Sequence, residues 1–163
     1  ALVLKLQPVD FLTLNLQVPV QILFRLAASF CGVFGFSVMF NSPVRLAAVA
    51  AGIGAVANTF RLELVDLTAC PPAAAAFMGA LAAGLLASLI KSRVGYPRIS
   101  VTVPSIVIMV PGLYLYRGFY NLGMMSLSAS ASWFASAILI VAALPLGLIF
   151  ARILTDKTFR YCT

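Results

Sequence analysis

Long apolar segments separated by short polar breaks limit most strongly what this chain can fold into. Most of them approach the roughly 20 residues that an α-helix needs to cross the hydrocarbon core of a bilayer. Only 9% of the 163 residues are charged, whereas soluble domains carry about 25%. We therefore predict an all-α, polytopic integral membrane protein with about five transmembrane helices. The predicted spans are 18–40, 44–60, 72–90, 99–122 and 132–153.

The spans are predicted to form one transmembrane module, residues 18–163, preceded by an interfacial segment or linker, residues 1–17. In this segment Lys5, Pro8 and Asp10 interrupt the leucines, which is typical of an amphipathic segment on the membrane surface. The chain opens without a methionine or a signal-peptide pattern. We therefore expect it to be processed or to follow another domain.

The fourth span interrupts its own helix. Pro104 and Pro111 lie seven positions apart, about two turns, so both fall on one face. Each proline removes a backbone donor and crowds the carbonyl four residues back. Gly112 can then leave helical geometry without a Cβ penalty. We predict a helix broken at Pro104 and at Pro111 and Gly112, and discontinuous helices of this kind form binding sites in many transporters.

Polar residues follow this break, and they allow two interpretations. In the first, Arg117 attracts a substrate carboxylate, and Tyr114, Tyr116 and Asn121 supply hydrogen bonds on a substrate pathway. In the second, the tyrosines and the arginine form an interfacial belt at the lipid headgroups, where such residues are enriched.

Polar residues in the first two spans are also ambiguous. Arg25 either extends to the nearer headgroups or faces a polar cavity, since charges inside membranes are usually functional. Asn58 either hydrogen-bonds a neighbouring helix or belongs to the substrate pathway. The segment 61–72, which contains Glu63 and Asp66, is predicted to be a polar loop.

The third span carries two ridges of small residues, which let helices approach closely in lipid. We expect Gly79, Ala83 and Gly84 to pack against neighbouring helices there. Histidine is absent, and the three cysteines match no metal-binding spacing. No nucleophile stands beside a base, and the basic residues form no continuous run. We therefore predict no enzyme, metal, cofactor or nucleic-acid partner.

The basic residues are distributed unequally between the predicted loops. One side would hold Arg45, Lys91, Arg93, Arg98, Arg152, Lys157 and Arg160, and the other Lys5, Arg61 and Arg117. The positive-inside rule then predicts an outside N-terminus and a cytoplasmic C-terminus. If the broken helix is re-entrant, the chain crosses four times and this asymmetry weakens.

Three motifs resemble the small, C-terminal-type membrane module of the threonine/serine exporter family. FNSPVR (40–45) supplies a turn with Asn41, Pro43 and Arg45, and AAFMGALAAGLL (75–86) supplies a small-residue helix. VPSIVIMVPGLYLYRG (103–118) fits the pattern P-x6-P-G-x3-Y, which ends at Tyr116.

This resemblance implies export of small amino acids or dicarboxylates across a bacterial plasma (inner) membrane, driven by an ion or proton gradient. It also implies a larger hydrophobic partner module, fused or separate, and a homo-oligomer is a further arrangement to consider. No carboxylate lies inside a predicted span, so the coupling group would come from the partner, Glu63 or Asp66. The alternative is a non-transporting scaffold subunit of a transporter complex.

Overall fold

A computed structural model describes residues 17–94 and 97–156, and these residues form six α-helices. Apolar segments become helices because a backbone in hydrocarbon must satisfy its own hydrogen bonds. The helices are α1 (Val18–Met39), α2 (Val44–Thr68), α3 (Pro72–Val94), α4 (Ile99–Val107), α5 (Gly112–Gly123) and α6 (Leu127–Thr155). Residues 1–16 of the predicted interfacial segment, together with Lys157 and Arg160, lie outside the described residues.

Four of these helices, α1, α2, α3 and α6, are long and apolar enough to cross a membrane. α4 and α5 pass the same test only as a pair, and they are bent by 41° where they meet. This confirms the predicted all-α, polytopic class, with a broken pair of helices in the place of the fourth span. The break lies at Pro111 and Gly112. The break also predicted at Pro104 is wrong, because α4 continues through Pro104 to Val107, where packing on α1, α2 and α3 outweighs the one helical hydrogen bond that a proline removes.

The predicted loop 61–72 is wrong over its first part, because α2 continues to Thr68. Ion pairs with Arg25 of α1 hold Glu63 and Asp66, which are three residues apart and therefore lie on one side of α2. The helix stops at Ala69, which adopts a left-handed conformation with φ 48°. Prolines at 71 and 72 follow, and a proline disfavours helix in the residue before it.

The last helix begins earlier than the predicted span 132–153, because α6 starts at Leu127. Serines near its start are bonded within the protein: Ser136 Oγ donates to the Ser132 carbonyl at 2.9 Å. Ser130 Oγ donates to the Gly118 carbonyl of α5 at 2.8 Å. These bonds satisfy hydroxyls that would otherwise favour a loop.

The helices pack through small residues, and large apolar side chains point outward. A Cβ added at Gly84 would come within 2.5 Å of Ala151 Cβ, and one at Gly147 within 2.5 Å of the Phe77 carbonyl oxygen. Gly79, Ala83 and Gly84 are buried. Such close approach is how helices associate in lipid, where hydrophobic burial offers little driving force.

The two halves of the broken span belong to different neighbours. α4 packs on α1, α2 and α3, whereas α5 packs chiefly on α6. α6 in turn makes the largest helix–helix contact of the described residues, with α3.

Candidate functional site

The break between α4 and α5 is a short, tightly turned segment with one buried and one exposed side. Pro111 adopts φ −79° and ψ 52°, outside the helical region, and is buried. Met109 is fully buried, whereas Val110 and Gly112 are exposed. Short-range bonds replace the helical ladder here, for example from the Gly112 N–H to the Val110 carbonyl at 2.8 Å. The chain therefore leaves helical geometry at the edge of the helix packing.

Arg61 of α2 donates a hydrogen bond to the carbonyl oxygen exposed by this break. Its Nη1 lies 3.1 Å from Met109 O. In a continuous helix this carbonyl would accept from the N–H four residues later, but the break prevents that bond. Irregular backbone at membrane depth is tolerated where protein groups satisfy it. Arg61 therefore stabilises the break by supplying the hydrogen bond that the Met109 carbonyl has lost.

Gly79 of α3 gives Arg61 and Met109 their room. A Cβ at this position would lie 3.0 Å from Arg61 Cβ and 3.3 Å from Met109 Sδ. These separations are tighter than nearly all real Cβ contacts. The small-residue face predicted on the third helix thus reaches the break itself.

Arg61 has no carboxylate within ion-pairing distance among the residues that the structure describes. Its Nε atom is buried and has no hydrogen-bond partner there. A partly buried guanidinium thus faces one neutral carbonyl among the described residues.

Arg25 is in the opposite situation. Its Nη1 lies 2.8 Å from Glu63 Oε1, and its Nη2 also pairs with Asp66. The Arg25 and Glu63 side chains retain 20% and 18% exposure. Arg25 therefore neither extends to the headgroups nor faces an empty polar cavity. It joins α1 to α2 through two carboxylates.

Of the polar residues after the break, Tyr114 and Arg117 contact α6, whereas Tyr116 and Asn121 contact their own helix. Arg117 is stacked on Trp133, with its Cζ 4.9 Å from the ring centroid. Tyr114 contacts the same indole edge to face at 5.6 Å. Asn121 Nδ2 donates to the Arg117 carbonyl of its own helix at 2.8 Å. Tyr116 is 39% exposed and stacks on a neighbouring tyrosine.

Asn58 forms an interhelical hydrogen bond. Its Nδ2 donates to Ser29 Oγ of α1 at 2.9 Å, and both residues are buried. This is the first of the two roles considered for it.

A groove of about 550 Å³ separates the α1–α2 turn from α4. It brings Asn41 and Pro43 of the predicted turn next to Pro104, the first proline of the broken span. Asn41 adopts φ 57°, a left-handed conformation that asparagine tolerates. Arg45 is exposed nearby at the start of α2. The groove is lined by Phe40, Asn41, Ser42, Pro43, Leu46, Ile99, Ser100, Val103 and Pro104.

The family model described as "Threonine/Serine exporter, ThrE" matches residues 25–154, most of the chain. The chain belongs to the threonine/serine exporter family. No curated protein and no solved structure matches it. It is therefore a multi-pass membrane protein of a transporter family rather than of a family of enzymes. The match spans the break, Arg61 and the groove.

In this exporter chain, the predicted site residues do not form one cluster. Pro111 and Gly112 lie at the break, and Pro104 lies at the groove. Tyr114 and Arg117 contact Trp133 of α6, and Asn58 bonds to Ser29 of α1. Tyr116 and Asn121 contact residues of their own helix, α5.

Sequence reasoning missed Arg61, which it placed in a loop. A signal was present in the sequence. Ala50, Gly54 and Asn58 form a ridge at four-residue spacing, and one further turn leads to Arg61 on the same face. All three ridge residues are buried, so the ridge points toward the break.

Proposed function

We propose that this chain is a secondary transporter module whose substrate passes the break between α4 and α5. Its substrate is a small amino acid of the threonine/serine type or a small carboxylate. The observation that carries the proposal concerns the Met109 carbonyl. The break leaves it without a helical hydrogen bond, and the Arg61 side chain donates one to it instead. Such backbone groups are what unwound transmembrane helices offer to substrates.

The groove beside Pro104 is the proposed cytoplasmic access to this site. Its volume of about 550 Å³ falls within the 300–1,000 Å³ typical of small-molecule sites. It lies at the end of the helices that carries Arg45 and Arg98, which the positive-inside rule assigns to the cytoplasm. A substrate being exported would enter from this end.

The proposed setting is a bacterial plasma membrane, with the N-terminus outside, the C-terminus cytoplasmic, and a larger hydrophobic partner module. Large apolar side chains such as Leu23, Phe24 and Ile138 are more than 60% exposed, which suits lipid or a partner helix. Glu63 and Asp66 are both paired with Arg25. A proton-coupling group therefore comes either from the partner or from this ion-paired cluster.

The test is a double substitution, Pro111→Ala with Gly112→Ala, in the full transporter reconstituted with its partner module. In a helix interior alanine is more favourable than proline by about 3 kcal/mol and than glycine by about 1 kcal/mol. A Cβ at Gly112 would meet no atom within 4 Å, so the change is sterically free at that position. The variant should insert and assemble normally but lose efflux of preloaded serine or threonine.

Gly35→Ala is the matched control, because a Cβ there also meets no atom within 4 Å and the residue lies on α1, outside the break. It should transport like the wild type. Normal efflux by the double variant would remove the break from the mechanism. The scaffold alternative would then stand, and it predicts changes in complex stability only.

A further inference from the structure

We propose that Arg61 is the residue that binds the substrate carboxylate, and that it does so by exchanging its bond to Met109 O for bonds to that carboxylate. This inference rests on the proposed function, since it assigns a ligand to the same break. It transfers to Arg61 the role that the sequence pattern gave to Arg117.

Arg25, Arg61 and Arg117 differ in the groups that their guanidinium groups already contact. Arg25 is neutralised by two carboxylates, and Arg117 rests on the face of Trp133. Arg61 meets no carboxylate in the described residues, and its Nε donor has no partner. A charge inside a membrane protein is costly and generally functional, and a guanidinium carries five donors. Of these three arginines, Arg61 is therefore the one with no ion-pair or cation–π partner in the described residues and with a buried donor left unbonded.

Position also separates Arg61 from Arg117. Arg61 touches the break directly through Met109 O at 3.1 Å. Arg117 lies five residues beyond Gly112 on α5, which corresponds to about 7–8 Å of helix rise. A substrate lying on the unwound segment meets Arg61 first.

A carboxylate is the group that would displace the carbonyl. Charge-assisted hydrogen bonds are roughly twice as strong as neutral ones, and a carboxylate can accept two parallel bonds from one guanidinium. The displaced Met109 carbonyl then loses the donor that stabilises the bend. Substrate binding is thereby coupled to the geometry of the broken span.

Arg61→Gln separates this role from simple support of the break. The glutamine amide keeps a neutral hydrogen-bond donor at about the position of Arg61 Nε but has no charge. The full transporter would be assayed with L-serine and with L-serinamide, which lacks the carboxylate, by uptake competition and by ligand-dependent thermal stabilisation in detergent. The variant should assemble, and its apparent affinity for serine should fall by about 10- to 100-fold. Its preference for serine over serinamide should shrink by the same factor.

Arg117→Gln is the competing arm. If it abolishes the preference for serine while Arg61→Gln retains it, Arg117 is the ligand and the proposal is overturned. An Arg61→Gln variant that loses thermal stability but keeps wild-type affinity and preference also overturns it, because only support of the break remains.

If Arg61→Gln fails to assemble, Arg61→Lys provides the same test. Lysine keeps the charge but loses the planar fork that matches a carboxylate. Serine affinity should fall by about 3- to 10-fold, and unchanged affinity refutes the assignment. The proposed function fails separately, through normal efflux by the Pro111→Ala, Gly112→Ala variant. The binding readout for Arg61 does not depend on that result.

Discussion

Gly54 of α2 packs directly on Ser105 of α4, and replacing it with alanine should weaken the packing that holds the broken span. The added Cβ would lie 2.8 Å from the Ser105 carbonyl oxygen and 2.7 Å from Val33 Cγ2. The shortest ordinary van der Waals contact of a Cβ atom is 3.4 Å. To lengthen the 2.8 Å separation to this value, α4 must move away from α2 by about 0.6 Å. The neighbouring backbone of Ser105 cannot rotate away as a flexible side chain could.

That retreat also stretches an interhelical hydrogen bond. Ser105 Oγ donates to the Ala50 carbonyl of α2 at 3.0 Å, and a shift of about 0.6 Å takes it well beyond normal bonding distance. Overpacking of this kind typically costs about 1–3 kcal/mol, including about 1 kcal/mol for the lost bond. For a protein of this size the expected fall in Tm is roughly 2–10 °C.

Gly52→Ala is the matched control, two positions earlier on the same helix. A Cβ at Gly52 meets no atom within 4 Å, so alanine adds only helix propensity, at most about 1 kcal/mol. Thermal unfolding of both variants in detergent, followed by near-UV circular dichroism, measures the difference. A Gly54→Ala protein as stable as Gly52→Ala would refute the close α2–α4 contact.

Two further predictions follow from the ion pairs and the orientation. Arg25→Met leaves two carboxylates of α2 unpaired and should destabilise the protein by about 1–3 kcal/mol, less than the 3–5 kcal/mol of a fully buried pair because the side chains are partly exposed. A triple variant that combines Arg25→Met with Glu63→Gln and Asp66→Asn should recover most of the lost stability in thermal unfolding. A triple variant no more stable than Arg25→Met would contradict the pairing. In a cysteine-free background, an impermeant maleimide should label Leu67→Cys in intact cells but Asn41→Cys only after permeabilisation, and the reverse pattern would invert the orientation.

The sequence predicted the break because proline and glycine act locally. Pro111 and Gly112 act on their own backbone, and the helix breaks there. The turn at Asn41 and Pro43 was predictable for the same reason. At Pro104 the same local reasoning was wrong, because the neighbouring helices keep α4 helical through that residue. The ridges of glycine and alanine likewise indicated close packing, although not which helices would meet.

The charged residues were less predictable, because their roles depend on which helix faces which. Glu63 and Asp66 resemble a polar loop until α1 places Arg25 beside them. Arg61 resembles a loop cation until α4 turns the Met109 carbonyl toward it. Residue spacing places Arg61 on the buried ridge of α2, but it does not show which group of another helix lies opposite Arg61, Glu63 or Asp66.

Because α4 and α5 pack on different neighbours, α6 connects α5 to the rest of the helices. Its N-terminal half holds α5, through Trp133 and the Ser130 bond to Gly118. Its C-terminal half is fixed to α3, where the backbone at Gly147 meets Phe77. Pro145 lies between the two halves and removes one rung of the helical ladder. If α5 tilts at the break, α6 can therefore bend at Pro145 to follow it. α4 would remain packed on α1, α2 and α3 during such a tilt.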